Sequence, residues 1–269
     1  MERKRWLVEP GRKIDLAKEA TRSREGAPGD KVATKEVADR LRRELSLLQD
    51  RLYAEGRRSL LLVLQAMDAG GKDGAVKKVF GGVNPQSCRV TSFKQPSVEE
   101  LHHDFLWRIT KALPSRGEVG IFNRSHYEDV GVVRVRKLVS VQTIRKRYEI
   151  INSFEHALSF SGTRVVKVFL HISKDEQARR LMARMEDPKK RWKFRPADLE
   201  DRALWGEFMA VYGDAISATS TEDAPWYIIP ADRKWYRDWS LLSILVETLA
   251  DMDPRYPDPM PGIESLEIV

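Results

Sequence analysis

Apolar positions along this chain fall into two alternating rhythms. Over 31–55, Val37, Leu41, Leu45, Leu48 and Leu52 recur at steps of three and four, which predicts an amphipathic helix stopped by Gly56. Residues 59–65 form a mostly apolar run too short for a helix, with Gly56 before it and Gly70 after it. Such a run predicts a strand buried on both faces. Similar runs recur at 89–93, 118–122, 163–172 and 226–230, the one at 163–172 interrupted by Lys167. Helical patterns occupy 72–80, 97–113, 141–160, 174–185, 197–219 and 235–252. The alternation predicts βαβ units and an α/β, three-layer fold, with a five-stranded parallel sheet and helices on both faces.

The flanks differ from this pattern. Residues 1–30 are polar, with Gly26, Pro28 and Gly29 near their end, and read as an N-terminal extension. Residues 31–256 read as one domain, and 257–269 as an irregular tail entered through a proline-rich stretch. A length of 269 residues and an apolar content of 42% suit one well-cored domain and exclude wholesale disorder. No apolar stretch approaches the ~20 residues that a spanning helix needs. Cys88 is the single cysteine, so a disulfide framework or thiolate cluster within the chain is excluded. A soluble, cytoplasmic protein without a membrane partner is the expectation.

Charge narrows the class of partner. Lys and Arg number 47 against 40 Asp and Glu, a net charge of +7. The excess is concentrated. Residues 179–195 carry eight basic side chains against Glu186 and Asp187, and 134–147 carry six with no acid. Two such blocks suit a groove for something long or multiply charged, although a solvated basic helix face would read the same way.

Three segments carry candidate chemistry. After the strand at 59–65 comes Asp68-Ala69-Gly70-Gly71-Lys72-Asp73-Gly74, and then a helix. A glycine-rich turn there frees backbone N–H groups for phosphates, and Lys72 stands where a P-loop lysine reaches terminal phosphates. The match is incomplete, with Ala66 in place of a glycine and Asp73 in place of the hydroxyl residue that normally holds Mg²⁺. Asp68 could supply a carboxylate for the metal instead. A glycine-rich turn used only for tight packing is the plain alternative. After the strand at 118–122, Asn123 could orient a hydrated Mg²⁺, and Arg124 could stabilise charge on a transferred phosphoryl. Glu128 and Asp129 restore carboxylates nearby, while His126 reads as a hydrogen-bonded structural residue. The third segment, 187–196, is a basic stretch bounded by Pro188 and Pro196. It suits a lid, within about 179–200, that closes over phosphates. Its Trp192 and Phe194 would also suit stacking on single-stranded nucleic acid.

Taken together, the loop 68–74, the segment 122–129 and Lys190-Arg191-Trp192-Lys193 resemble the motifs of polyphosphate kinase family 2, in the same order and at similar separations. Asn123 with Glu128 and Asp129 resembles the class III branch. The resemblance implies a P-loop kinase-like fold with a helical lid, and transfer of the terminal phosphoryl of inorganic polyphosphate to AMP and ADP. GMP and GDP are further acceptors to consider. It also implies Mg²⁺, replaceable by Mn²⁺, and a homo-oligomer, dimer or tetramer. Lys72 and Arg124 are assigned to the transferred phosphoryl and Asp68 to the metal, with Asn123 and Glu128 assisting. Gly70, Gly71, Lys72, Asp73, Gly74, Arg124, Arg134, Arg184, Lys190 and Arg191 would line the polyphosphate path. Phe80, Gly81, Val83, Asn84, Glu128 and Asp129 would meet the nucleotide. A non-catalytic polyanion or nucleic-acid binder and an ATP-dependent nucleoside monophosphate kinase are the alternatives.

Overall fold

In the computed structural model, residues 2–263 and Leu266 are described, so the expected tail at 257–269 lies partly outside the described residues. The chain enters through a short strand, β1 (Leu7–Val8), and the long helix α1 (Lys31–Glu55). Asp30 caps α1 by accepting from the N–H groups of Val32 and Ala33, and Gly56 closes it in the left-handed region. The first strand–helix unit follows, as β2 (Ser59–Gln65) and α2 (Lys72–Val79). Next come β3 (Cys88–Ser92), α3 (Val98–Leu101), α4 (Trp107–Lys111) and β4 (Val119–Asn123). The helix expected across 97–113 is thus two short ones. Asp104 accepts from the N–H of Leu106 at 2.9 Å, a side-chain turn that competes with helix propagation.

The second half contains α5 (Val132–Val135), α6 (Val141–Phe160), β5 (Thr163–His171) and α7 (Lys174–Glu186). It ends with α8 (Ala197–Ala203), α9 (Trp205–Thr219), β6 (Trp226–Pro230) and α10 (Lys234–Met252). The expected helix over 197–219 is likewise divided, at Leu204.

The sheet order is β1-β6-β5-β2-β4-β3, with β1 antiparallel and the five others parallel. Side chains alternate across it. Leu60, Leu62 and Leu64 of β2 join the core beneath α1, α2 and α10, while Leu61 and Val63 join the core beneath α6 and α9. The five expected strands are the five parallel ones, which confirms the three-layer α/β architecture.

The N-terminal segment, polar on average, carries apolar residues at the positions that matter for packing. Trp6 is buried against Tyr236 and Trp239, and Val8, Ile14 and Leu16 are buried in the opposite core. It therefore wraps the β6 edge and covers both faces, closing an edge that would otherwise expose unpaired backbone groups. Trp6→Ala is expected to lower unfolding stability by about 3–5 kcal/mol, measured by urea titration.

Candidate active site

Strand order decides where chemistry can occur. The chain leaves β2 toward β3 and later returns to β2 from the other side as β5, so the carboxyl end of β2 is a topological switch point, where ligands of open α/β sheets bind. The loop 66–71 lies there. Its carbonyls are held from behind: Gln177 donates to Asp68 O, Arg180 to Ala69 O and Gly70 O at 3.1 and 2.9 Å, and Arg237 to Gly71 O at 3.1 Å. Gly70 N–H is spent on Met67 O at 2.9 Å, and the N–H groups of Gly71, Lys72 and Asp73 at the start of α2 are left for an anion. Two glycines are sterically required. A Cβ on Gly70 would lie 2.5 Å from Ala66 Cβ, and one on Gly71, at φ +97°, would lie 2.5 Å from Arg237 Nη1.

Lys72 is buried at the mouth of this loop and donates to Ala66 O at 2.9 Å. Burial, with Arg124 nearby, lowers its pKa to about 8. Arg124 follows β4 and holds a left-handed backbone at φ +65°, an uncommon conformation for a non-glycine residue. Its guanidinium lies between two carboxylates, donating to Asp68 at 2.7 Å and to Glu128 at 3.2 Å. Burial alone would weaken its charge, but Glu128 and Asp68 outweigh it and raise its pKa. Gln65 orients the group from below, its amide nitrogen donating to Glu128 and its oxygen accepting from Ser125.

Asn123 does not face Asp68. Its amide donates to Asp73 at 2.8 Å, and Lys193 reaches the other oxygen of Asp73 at 3.2 Å. The lid is thereby tied to the phosphate loop through a residue that the sequence reading left out of the basic path. Of the residues in that path, Gly74 lies in the first turn of α2. Lys190 pairs with Asp187 and Arg191 donates to Met185 O, both exposed on the lid. Arg184 faces Asp198 at 3.6 Å. Arg134 is turned to Asp214 of α9 at 2.7 Å and to Tyr148, neither of which lines the cleft beside Arg124. Arg136, also overlooked, contacts Asp201, which does line it.

The residues expected to meet the nucleotide, Phe80, Gly81, Val83 and Asn84, stand apart from the phosphate loop. These residues follow the carboxyl end of α2, about 12 Å from the loop at 1.5 Å per residue. Gly82 O there accepts from Ser46 of α1, Val83 is buried, and Asn84 caps the turn at Pro85–Ser87. They sit at the amino edge of the sheet, away from the phosphate loop. A cleft of about 320 Å³ lies at the other edge, that of the phosphate loop, lined by Ser92, Phe93, Lys94, Arg108 and Lys111 among others. Asp129 borders it through Arg108, at 3.4 Å. Its sequence signal was modest: three cations just beyond a strand and on the next helix.

Under Arg124 and Glu128 lies a fully buried polar cluster. Lys167 of β5 donates to Glu155, to Tyr127 Oη and to Thr219 O, and His126 Nε2 meets Glu155 at 3.1 Å. His126 is thus hydrogen-bonded and structural, and Lys167 interrupts an apolar strand because it neutralises Glu155. The cluster fixes the turn His126–Asp129 that carries Glu128.

Residues 29–257 match the family model for polyphosphate kinase 2. The chain belongs to that family. An AMP/ADP-polyphosphate phosphotransferase of Meiothermus ruber is 50% identical to this polyphosphate kinase 2 chain, over 98% of the chain and 99% of the relative. An ADP-polyphosphate phosphotransferase of Rhodopseudomonas palustris is 43% identical over 96% and 93%. The crystal structure of polyphosphate kinase 2 from Arthrobacter aurescens superposes with a TM-score of 0.94 at 41% identity, covering 98% of this chain and 94% of that one.

Two outcomes follow for this family member. Loss of the Lys72 proton as pH rises through about 8 should reduce kcat/KM for an anionic substrate, up to tenfold per unit, and Lys72→Arg should move that fall to higher pH. Lys167→Met strands the Glu155 carboxylate in the core, and should destabilise the fold by about 3–5 kcal/mol by thermal or urea unfolding.

Proposed function

We propose that this protein transfers the terminal phosphoryl of inorganic polyphosphate to AMP and ADP, giving ADP and ATP. The observation that carries this reading is Arg124, held between Asp68 and Glu128 at the mouth of the loop that seats Lys72. The Meiothermus ruber relative, named for both acceptors and matched end to end, supports it.

The reaction needs little covalent help. A non-bridging oxygen of the acceptor phosphate attacks the terminal phosphorus, the P–O bond to the donor chain breaks, and the chain leaves one phosphate shorter. The nucleophile is already ionised, so no side-chain base is required. Loop amides, Lys72 and Arg124 bind and neutralise the transferred group, and Asp68 and Glu128 hold Arg124 in line. Among the described residues no three His, Cys, Asp or Glu side chains converge as a metal cage. That fits Mg²⁺, which commonly takes one or two protein carboxylates and fills its shell with phosphate oxygens and water. Asp68, with Glu128, would hold Mg²⁺ or Mn²⁺, which would supply charge neutralisation to the phosphates. Asn123 enters only if it exchanges Asp73 for that shell. The cleft at Lys94, Arg108 and Lys111 suits the acceptor nucleotide, with GMP and GDP as further acceptors.

A cytoplasmic setting and a homo-oligomer belong to the same reading. No described helix is long and apolar enough to cross a membrane, and Leu138, Val141, Ile150 and Phe160 expose apolar surface in and before α6.

Purified protein with Mg²⁺ and long-chain polyphosphate should make ATP from ADP and ADP from AMP, resolved by chromatography. Asp68→Asn and Lys72→Ala should each lose about 10²–10³-fold in kcat. ADP use alone would remove AMP from the reading, and binding without transfer to either nucleotide would favour a polyanion-binding protein. Replacing both Lys190 and Arg191 with Ala should raise the polyphosphate KM and flatten its salt dependence, and leave the nucleotide KM unchanged.

A further inference from the structure

A group of arginines outside this site stands without acidic partners. Arg22 and Arg24 of the N-terminal segment are exposed, and Arg233 precedes α10. Among the described residues none of the three has a carboxylate within ion-pair distance. Arg3, Arg5, Arg12, Arg42 and Arg58, by contrast, each pair with one. The backbone holds the three together. Asp232 N–H donates to Thr21 O at 3.0 Å, Thr21 Oγ1 donates to Asp232 at 3.0 Å, and Arg233 Nη1 donates to Ser23 O at 3.3 Å. Slight burial and repulsion from Arg24 and Arg22 lower the Arg233 pKa, and the one carboxylate beside them, that of Asp232, is taken up by Thr21 Oγ1 and Ser173 N–H.

The position of this cluster relates it to the phosphate loop. One guanidinium, that of Arg180, bonds Ala69 O and Gly70 O with one nitrogen and Ala231 O with the other. The turn carrying Arg233 is therefore a single side chain's width from the loop. It follows β6, whereas the acceptor cleft follows β3. These strands lie on opposite sides of β2, whose loop is between them. In-line transfer places the leaving chain opposite the attacking oxygen. A donor whose terminal phosphoryl faces the cleft then leaves toward the β5–β6 side, the side on which the arginines stand.

We propose that Arg22, Arg24 and Arg233 form a subsite for the distal phosphates of a long inorganic polyphosphate chain. This rests on polyphosphate as donor, and it gives the N-terminal segment a role in binding the donor besides closing the sheet edge. A chain long enough to span loop and cluster gains contacts there, and a short one does not.

The test is equilibrium binding of long-chain polyphosphate and of tripolyphosphate to the full chain across a salt series, comparing wild type with the double variants Arg22→Ala/Arg24→Ala and Arg22→Lys/Arg24→Lys. The alanine pair should bind long-chain polyphosphate roughly three- to tenfold more weakly, with a salt slope smaller by about 0.7 per arginine removed. Tripolyphosphate should bind as before, and the lysine pair should keep most of the long-chain affinity. Unchanged long-chain binding by the alanine pair overturns the subsite, as does an equal loss for tripolyphosphate. Wild type that binds neither polyanion removes the donor reading itself, and the subsite with it.

Discussion

Two guanidinium groups, those of Arg180 and Arg237, hold the carbonyls of the phosphate loop away from where an anion has to sit. A glycine-rich loop left to itself presents carbonyl and amide dipoles in either direction, and a carbonyl aimed at a phosphate would repel it. Fixing Ala69, Gly70 and Gly71 from behind keeps those carbonyls off the anion and removes a reorganisation that binding would otherwise require. The constraint reaches outward. Arg180 is positioned by Glu176 of α7 and also bonds the turn after β6, and Arg237 leans on Asp238 of α10. Loop, lid helix and the last strand–helix junction are therefore one mechanical unit, and the buried N-terminal segment closes its outer edge.

Electrostatics in front of the loop follows a different logic. A site for a polyanion cannot simply accumulate cations, because they destabilise one another before substrate arrives. Arg124 is half-buried and retains its charge through Glu128 and Asp68, whereas burial and repulsion from Arg124 lower the pKa of Lys72. Beneath them, Glu155 and Lys167 cancel within the core, so the turn bearing Glu128 stands on a rigid and locally neutral base.

Much of this was legible in the sequence. β2, β4 and β6 were plain because buried strands read as nearly unbroken apolar runs, β5 despite Lys167 and β3 from β-branched Val90 and Thr91 rather than burial. The motifs at 68–74 and 122–129 were legible as segments because each lies directly after an apolar run. Glu128 was found as a carboxylate near Arg124, but its ion pair with Arg124 depends on the left-handed turn at Arg124. β1 was missed because two residues cannot show periodicity and their burial comes from distant partners, Tyr227 and Trp226. Phe80, where the base was expected, stands apart from the phosphate loop for a topological reason. Closeness to the phosphate loop along the chain was taken for closeness in space, whereas α2 runs antiparallel to the strands and carries its far end to the opposite edge. The cleft at Lys94, Arg108 and Lys111 combines residues from β3, its exit and α4, and becomes visible only once the chain is folded.

Asp73 shows how the fold accommodates a departure from the usual loop. A carboxylate in the first turn of a helix is favoured by the helix dipole, yet beside phosphates it adds repulsion where a hydroxyl would add none. Burial would raise its pKa, but Asn123 and Lys193 offset that and hold it ionised. Its two oxygens are thus divided between Asn123 at the end of β4 and Lys193 of the basic segment after α7, and Lys193 neutralises its charge. The position that in other phosphate loops supports a metal through a hydroxyl here supports the lid through an ion pair. The loop's own carboxylate is therefore neutralised by the same contact that ties the segment after α7 to the loop.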